Sequence, residues 1–266
     1  MGGSALGVPN RFAEAATING GSWLVAAPAS NVATWPLAET AVSTNALTTS
    51  TIIKVRWDTG PRTGQLLVLA RHNLSAAALV RWTRGTSDGA ADVADSGWVS
   101  AWRFTPRAAD GALYNVFVLQ PQESTANYET IEIDDTTNAA GAISIGRGAV
   151  CPLFAPRHAI DHTVRDGWSD LSTVAEAESG ADWPTARRRR RGVQFALPLL
   201  TLDEGDAAHE IDQVEGTTAE VVWLPYMEDP ARMQRYGFIG RMRELSSLEY
   251  PGFRRRAKGY SLVQRV

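Results

Sequence analysis

Apolar and polar side chains alternate over residues 51–58 (TIIKVRWD), the two-residue period of a strand with one buried and one wet face. Asp58, Thr59, Gly60 and Pro61 break that strand. Residues 65–70 (QLLVLA) are nearly all apolar, the pattern of a strand covered on both faces. Residues 79–84 (LVRWTR) alternate again, and short runs at 96–99, 115–119, 128–133 and 141–146 follow. Many short strands bounded by Gly, Pro, Asp and Asn predict an all-β sandwich over residues 51–155.

The flanking segments have a different grammar. Residues 1–20 are small and polar and read as an arm that orders only against something else. Residues 21–47, with Trp23 and Trp35, read as an edge segment wrapping the sandwich, so that 1–50 form one unit of arm and edge. Residues 151–156 (CPLFAP) read as extended linker, because each Pro fixes φ and biases its predecessor away from helix. The linker continues over 156–186, acidic and turn-rich from Asp166 to Trp183. Residues 187–266 then predict a smaller β domain with one helix. Its strands are expected at 192–198, 220–224, 237–242 and at the end of the chain, and 228–232 (EDPAR) reads as a turn. Thr201 with Glu204 three residues on is a capping box that opens the helix, and Gly216 closes it. Ala207, Ile211 and Val214 would form its apolar side.

Composition narrows the functional classes. The chain has 266 residues, 44% of them hydrophobic, enough for one large or two modest domains with a full core. A net charge of -3 argues against a generic polyanion binder. Cys151 stands alone, so no intrachain disulfide forms and synthesis in a reducing cytoplasm is expected. With no charged neighbour to lower its thiol pKa, Cys151 reads as buried and inert. No apolar run approaches the roughly 20 residues that cross a bilayer. His158 and His162 flank Asp161 at a spacing that shares a helix face, as metal ligands can. The nearby prolines disfavour that helix and no third ligand accompanies it, so neither metal nor cofactor is expected. There is no nucleophile elbow, phosphate-binding glycine loop or pair of zinc knuckles. Asp134 with Asp135, and Glu228 with Asp229, read as solvated turn residues. No enzyme is expected.

Five consecutive arginines, Arg187, Arg188, Arg189, Arg190 and Arg191, repel one another unless acids or phosphates neutralise them. A nucleic-acid site would interleave further basic and aromatic residues. The following segment instead carries Asp203, Glu204, Asp206, Glu210, Asp212 and Glu215. The run is therefore expected to pair with acids in its own subunit or the next, with no specific nucleic acid. Arg254, Arg255 and Arg256, beside Tyr250 and Phe253, form a second cluster of the same kind.

Two blocks resemble the minor proteins at the distal end of tailed-phage tails. The run IIKVRWDTG, GQLLVLARHNLS, ALVRWTRGTSD, SGWV, YETIEIDD and AISIGRGAV resembles the discoidin or galactose-binding jelly roll of phage tail and baseplate proteins. Residues 187–266, from RRRRRGVQFALPLLT to the close, are similar to tail-tip ring proteins of the distal-tail class. The resemblance implies a virion structural protein made in the host cytoplasm. It would form a three- or six-fold ring at the tail tip, meeting copies of itself and the tail-tube, hub and fibre proteins, with the two arginine clusters at interfaces. The alternative it implies is a module that binds a host-surface glycan, through His72, Trp98, Trp102 and Arg103 in loops at one end of the jelly roll. No membrane partner is implied.

Overall fold

The computed structural model describes residues 3–14, 17–35, 37–105, 114–158, 164–176, 182–252 and 254–265. The strands begin with β1 (Ala5–Gly7), β2 (Thr17–Asn19), β3 (Ala41–Val42), β4 (Ile53–Arg56) and β5 (Arg62–His72). Next come β6 (Leu79–Gly85), β7 (Ala94–Asp95), β8 (Val99–Ser100), β9 (Val116–Ala126), β10 (Tyr128–Asp134) and β11 (Ser144–Cys151). Then follow β12 (Leu153–Phe154), β13 (Arg165–Ser169), β14 (Thr173–Glu176), β15 (Asp182–Thr185) and β16 (Arg190–Leu200). Helix α1 (Leu202–Glu215), β17 (Val221–Leu224), α2 (Pro230–Tyr236), β18 (Phe238–Glu244), β19 (Glu249–Gly252) and β20 (Arg255–Gln264) complete the chain.

Two antiparallel sheets make the predicted sandwich, a jelly roll. One runs β2-β4-β10-β6-β7, with β8 also on β6, and the other runs β3-β11-β5-β9. Alternation decides which side chains meet between them. Ile53 and Val55 of β4 point in while Arg56 stays exposed. They join Trp82 and Ile131 against Leu67, Leu69, Val118 and Ile145 of the facing sheet.

The apolar run in β5 has a second use. Leu66, Val68 and Ala70 point away from the sandwich core into another one. The third sheet lies there, in the order β12-β1-β17-β18-β20-β16-β13, with β19 on β20. Its Ala5, Val222, Leu224 and Ile239 cover that face, together with Met233 of α2. Strand β17 is likewise buried on both sides, because Val221 and Trp223 enter a third core beneath α1. There Phe195 stacks on Trp223 at 4.5 Å and on Tyr260 at 5.4 Å. The described chain is therefore four layers: sheet, sheet, sheet and helix.

Several expectations are corrected by this layering. The N-terminal segment does not wait for another molecule, since β1 pairs with both β12 and β17 inside the third sheet. Residues 151–156 are not a free linker: β11 runs through Cys151, and β12 joins the third sheet at once. Strands β13 to β15 occupy the stretch expected as linker over 156–186. The capping box at Thr201 and Glu204 is present, with Gly216 as the C-cap. The buried side of α1 is Gly205 and Ala208, however, and Val214 is exposed. Gly205 sets that register: a Cβ there would stand 2.5 Å from Cγ of Arg256. Residues 230–236 are a second helix where a turn was expected. Asp229 accepts from the backbone N–H of Ala231 (3.1 Å) and Arg232 (3.0 Å), and Pro230 supplies a preset φ for the first turn.

Two buried ion pairs fasten the layers. Arg147 on β11 donates to Glu220, just before β17, with Nη2 to Oε2 at 2.6 Å and Nε to Oε2 at 2.9 Å. Asn10 of the N-terminal segment donates to the same carboxylate at 2.5 Å. One buried acid thus holds the jelly roll, the third sheet and the N-terminal segment together. Arg84 and Glu129 face each other across β6 and β10, both fully buried, with Nη2 to Oε1 at 2.8 Å. Arg84 also donates to the carbonyls of Gly64 (2.6 Å) and Arg62 (2.7 Å), and Trp82 Nε1 donates to Glu129. Loss of one partner strands a buried charge, whereas an apolar pair of similar volume does not. Glu220→Ala is expected to cost about 3–5 kcal/mol in urea unfolding, while Arg147→Met with Glu220→Leu recovers most of that loss.

Candidate partner-binding face

The third sheet is wider than the jelly-roll sheet it covers. Strands β12, β1, β17 and β18 contribute its residues to the shared core, Leu153 of β12 from its margin. Strands β20, β16 and β13 overhang. In this overhang Val193 pairs with Leu262, both facing the core under α1. The neighbouring pairs, Gln194 with Ser261 and Arg241 with Val263, therefore face the other way. They line an open groove of about 720 Å³, walled by Trp168 and rimmed by Arg165, Arg190 and Arg243.

Beside the groove lies a ribbon. All five residues of β13 are exposed, as are all of β14 and β15. Strands β14 and β15 pair only with each other among the described residues. Trp183 is 68% exposed and Trp168 55%, with Val174 and Leu171 also in solvent. Exposed apolar surface concentrated on an unpaired ribbon is costly in water unless something covers it.

The arginine run divides by role. Arg191 is buried and pairs with Asp166 across β13 and β16; it also donates to the Arg235 carbonyl at 2.9 Å and stacks over Tyr236. Arg189 pairs with Asp170 at 3.1 Å in solvent, and the Arg187 backbone N–H donates to Ser172 Oγ at 2.9 Å. Arg188 and Arg190 are exposed and make no ion pair among the described residues. The neutralising acids, Asp166 and Asp170, lie upstream of the run and not in the helix that follows, because β13 is the strand paired with the start of β16. Ser172, through its side chain and its backbone N–H, and then Arg189 hold the Asp170 carboxyl down at about 2. These contacts persist through the ordinary carboxylate range and are lost only as pH falls toward that value. In the second cluster Arg256 lies 4.2 Å over the Tyr250 ring, and Arg254 has φ +63° at the turn into β20. Phe253 lies outside the described residues.

Of the four residues expected to touch a glycan, the structure brings His72 and Trp102 together. His72 and Trp102 are corrected to core positions, packed edge to face at 5.5 Å, with Trp102 Nε1 donating to the Leu74 carbonyl at 3.1 Å. The loop beyond them is plugged from outside by Gln234 of α2. Its Nε2 donates to the carbonyls of Ala101 (2.6 Å) and Asn115 (3.1 Å), and its Oε1 accepts from the Arg103 backbone N–H. Arg103 and Trp98 remain exposed.

The carboxylate pairs are structural. Asp135, expected in solvent, is buried and accepts from the Ser75 backbone N–H (2.8 Å) and Asn138 Nδ2 (2.7 Å). Glu228 accepts from the Gly3 backbone N–H at 2.7 Å. Cys151 is buried, and burial, followed by the charges of Glu220 and Glu215, pushes its thiol pKa up. No cluster of three metal-ligating side chains exists among the described residues, and His162 lies outside them. No described helix is long and apolar enough to cross a membrane.

The sequence reading missed Arg165, Trp168, Trp183, Arg241 and Arg243. Two tryptophans in an acidic, turn-rich stretch were the available signal, because Trp is rarely left in water without a reason.

No protein-family model and no curated protein matches this chain. Solved structures with a similar backbone course include a CBM32 domain produced by Clostridium perfringens. It is 13% identical, with a TM-score of 0.36, over 55% of this chain and 100% of that one. CBM32-1 from a family 31 glycoside hydrolase of Clostridium perfringens is 9% identical, with a TM-score of 0.37, over 54% of this chain and 100% of that one.

The division within the arginine run gives a direct check. Arg191→Ser removes a buried side chain that bonds both Asp166 and the Arg235 carbonyl, and is expected to lower stability by about 2 kcal/mol in urea unfolding. Arg188→Ser, at an exposed position, is expected to stay within about 0.5 kcal/mol of the parent chain.

Proposed function

We propose that this chain is a non-catalytic assembly protein: a rigid body of packed β layers that joins other protein surfaces through its exposed ribbon. The observation that carries this reading is the ribbon of β14 and β15 with Trp183 and Val174 in solvent. In the finer form, taken from the resemblance, it is a tail-tip component that closes into a ring and links tail tube to hub or fibres. Heterologous contacts between identical copies close into rings when the rotation allows.

A second reading is a host-surface glycan module. Trp98 favours it, because this ring is 44% exposed beside the positive-φ Gly97 corner of the sandwich, and half-exposed aromatics stack on sugar rings. Solved structures with a similar backbone course include CBM32 domains.

Mass photometry with an added glycan array separates the two readings. The assembly reading predicts oligomers of the parent chain that Trp183→Ser with Val174→Ser dissolves, without change in the far-ultraviolet circular dichroism. A parent chain that stays monomeric and binds a glycan, with binding lost in Trp98→Ala, overturns it in favour of the second reading.

A further inference from the structure

The overhanging half of the third sheet carries opposite charge on its two sides. One side is the groove, with Arg165, Arg190 and Arg243 exposed at its rim and making no ion pair among the described residues. Arg241 lies within it, donating weakly to the carbonyls of Thr217 (3.4 Å) and Met242 (3.3 Å). The other side is α1, which packs on β16 and β20 through Gly205 and Ala208. Its outer surface presents Asp203, Asp206 and Glu210, all exposed. The spacing of three and four residues puts these carboxylates in one stripe along the helix. None of the three makes an ion pair among the described residues, while Asp212, one turn inward, is already taken by Lys258.

Within one molecule these two surfaces cannot meet, because three strands lie between them. Between two molecules they can. We propose that the acidic stripe of α1 on one copy seats in the arginine groove of the next. Guanidinium forks match carboxylates in geometry as well as charge. Unpaired arginines around a groove repel one another, and a row of carboxylates relieves that repulsion. The donor and acceptor surfaces lie on opposite faces of the same sheet end, so the contact is heterologous. Each copy then offers one free surface of each kind, and the series continues until it closes on itself. This inference rests on the assembly reading and names the surfaces through which copies meet.

Three variants of the full chain test it by mass photometry at low and high salt. The groove-reversed chain carries Arg165→Glu, Arg190→Glu and Arg243→Glu. The helix-reversed chain carries Asp203→Lys, Asp206→Lys and Glu210→Lys. The third carries all six changes. Every position is exposed, and circular dichroism confirms the fold; Arg→Gln at the same three groove positions is the milder substitute should the reversal misfold. The expected result is oligomers of the parent chain that weaken with salt, association at least roughly tenfold weaker in each half-reversed chain, and recovery in the sixfold chain. Oligomers indifferent to either reversal overturn the inference while leaving assembly through the ribbon standing. A monomeric parent chain, or one whose groove instead takes an acidic glycan, overturns it as well.

Discussion

The structure depends on one sheet that is apolar on both faces. Strand β5 sends Leu67 and Leu69 into the jelly-roll core and Leu66, Val68 and Ala70 out of its back. A jelly roll standing alone would expose that back, with Phe117 and Ala149 added to it. At about 25 cal/mol per Å² the exposed surface would be a large penalty against a net stability of about 5–15 kcal/mol. The third sheet is the cover. Its position then settles what else follows: which strands are buried twice, where α1 can lie, and which strands are left to overhang.

Burial of that interface forces its polar groups into pairs. The carboxylate of Glu220 lies where three segments of chain converge, and Arg147 and Asn10 satisfy it there. Gly148, next along β11, admits the Phe12 ring, since a Cβ would stand 2.2 Å from its Cε2. The N-terminal segment is thereby held by packing, by charge and by the ladder of β1. Its place between β12 and β17 means that the first strand of the chain is added to a sheet built mostly from the last third.

Much of this was legible in the sequence and some was not, for identifiable reasons. Alternation is local, so β4, β6 and β10 could be read from 51–58, 79–84 and 128–133. The nearly all-apolar run at 65–70 in β5 announced two covered faces but not what covers the second, because a run of leucines and valines does not name its partner. Three residues at 5–7 carry no period at all, and β1 exists only through its two neighbours. The capping box at Thr201 was local and visible, whereas the buried face of α1 depended on a glycine meeting Arg256 from a distant strand. The short helix after Asp229 carried its own signal in Asp-Pro, read instead as a turn. Among the candidate site residues, exposure of Trp98 and burial of His72 and Trp102 are tertiary facts. Period cannot separate them when all three sit near strand ends. Charge was misassigned for the same reason: the acids that follow the arginine run in sequence belong to a helix on the far side of the sheet.

The central claim is that the jelly roll and the third sheet form one cooperative body because they share the back of β5 and β11. Native-state hydrogen exchange measures this directly. Amides of β5 and β11 in the one and of β17 and β18 in the other should open with the same free energy, equal to that of global unfolding. If β17 and β18 instead exchange at a markedly lower free energy while the sandwich stays protected, the two are separate bodies and the claim fails.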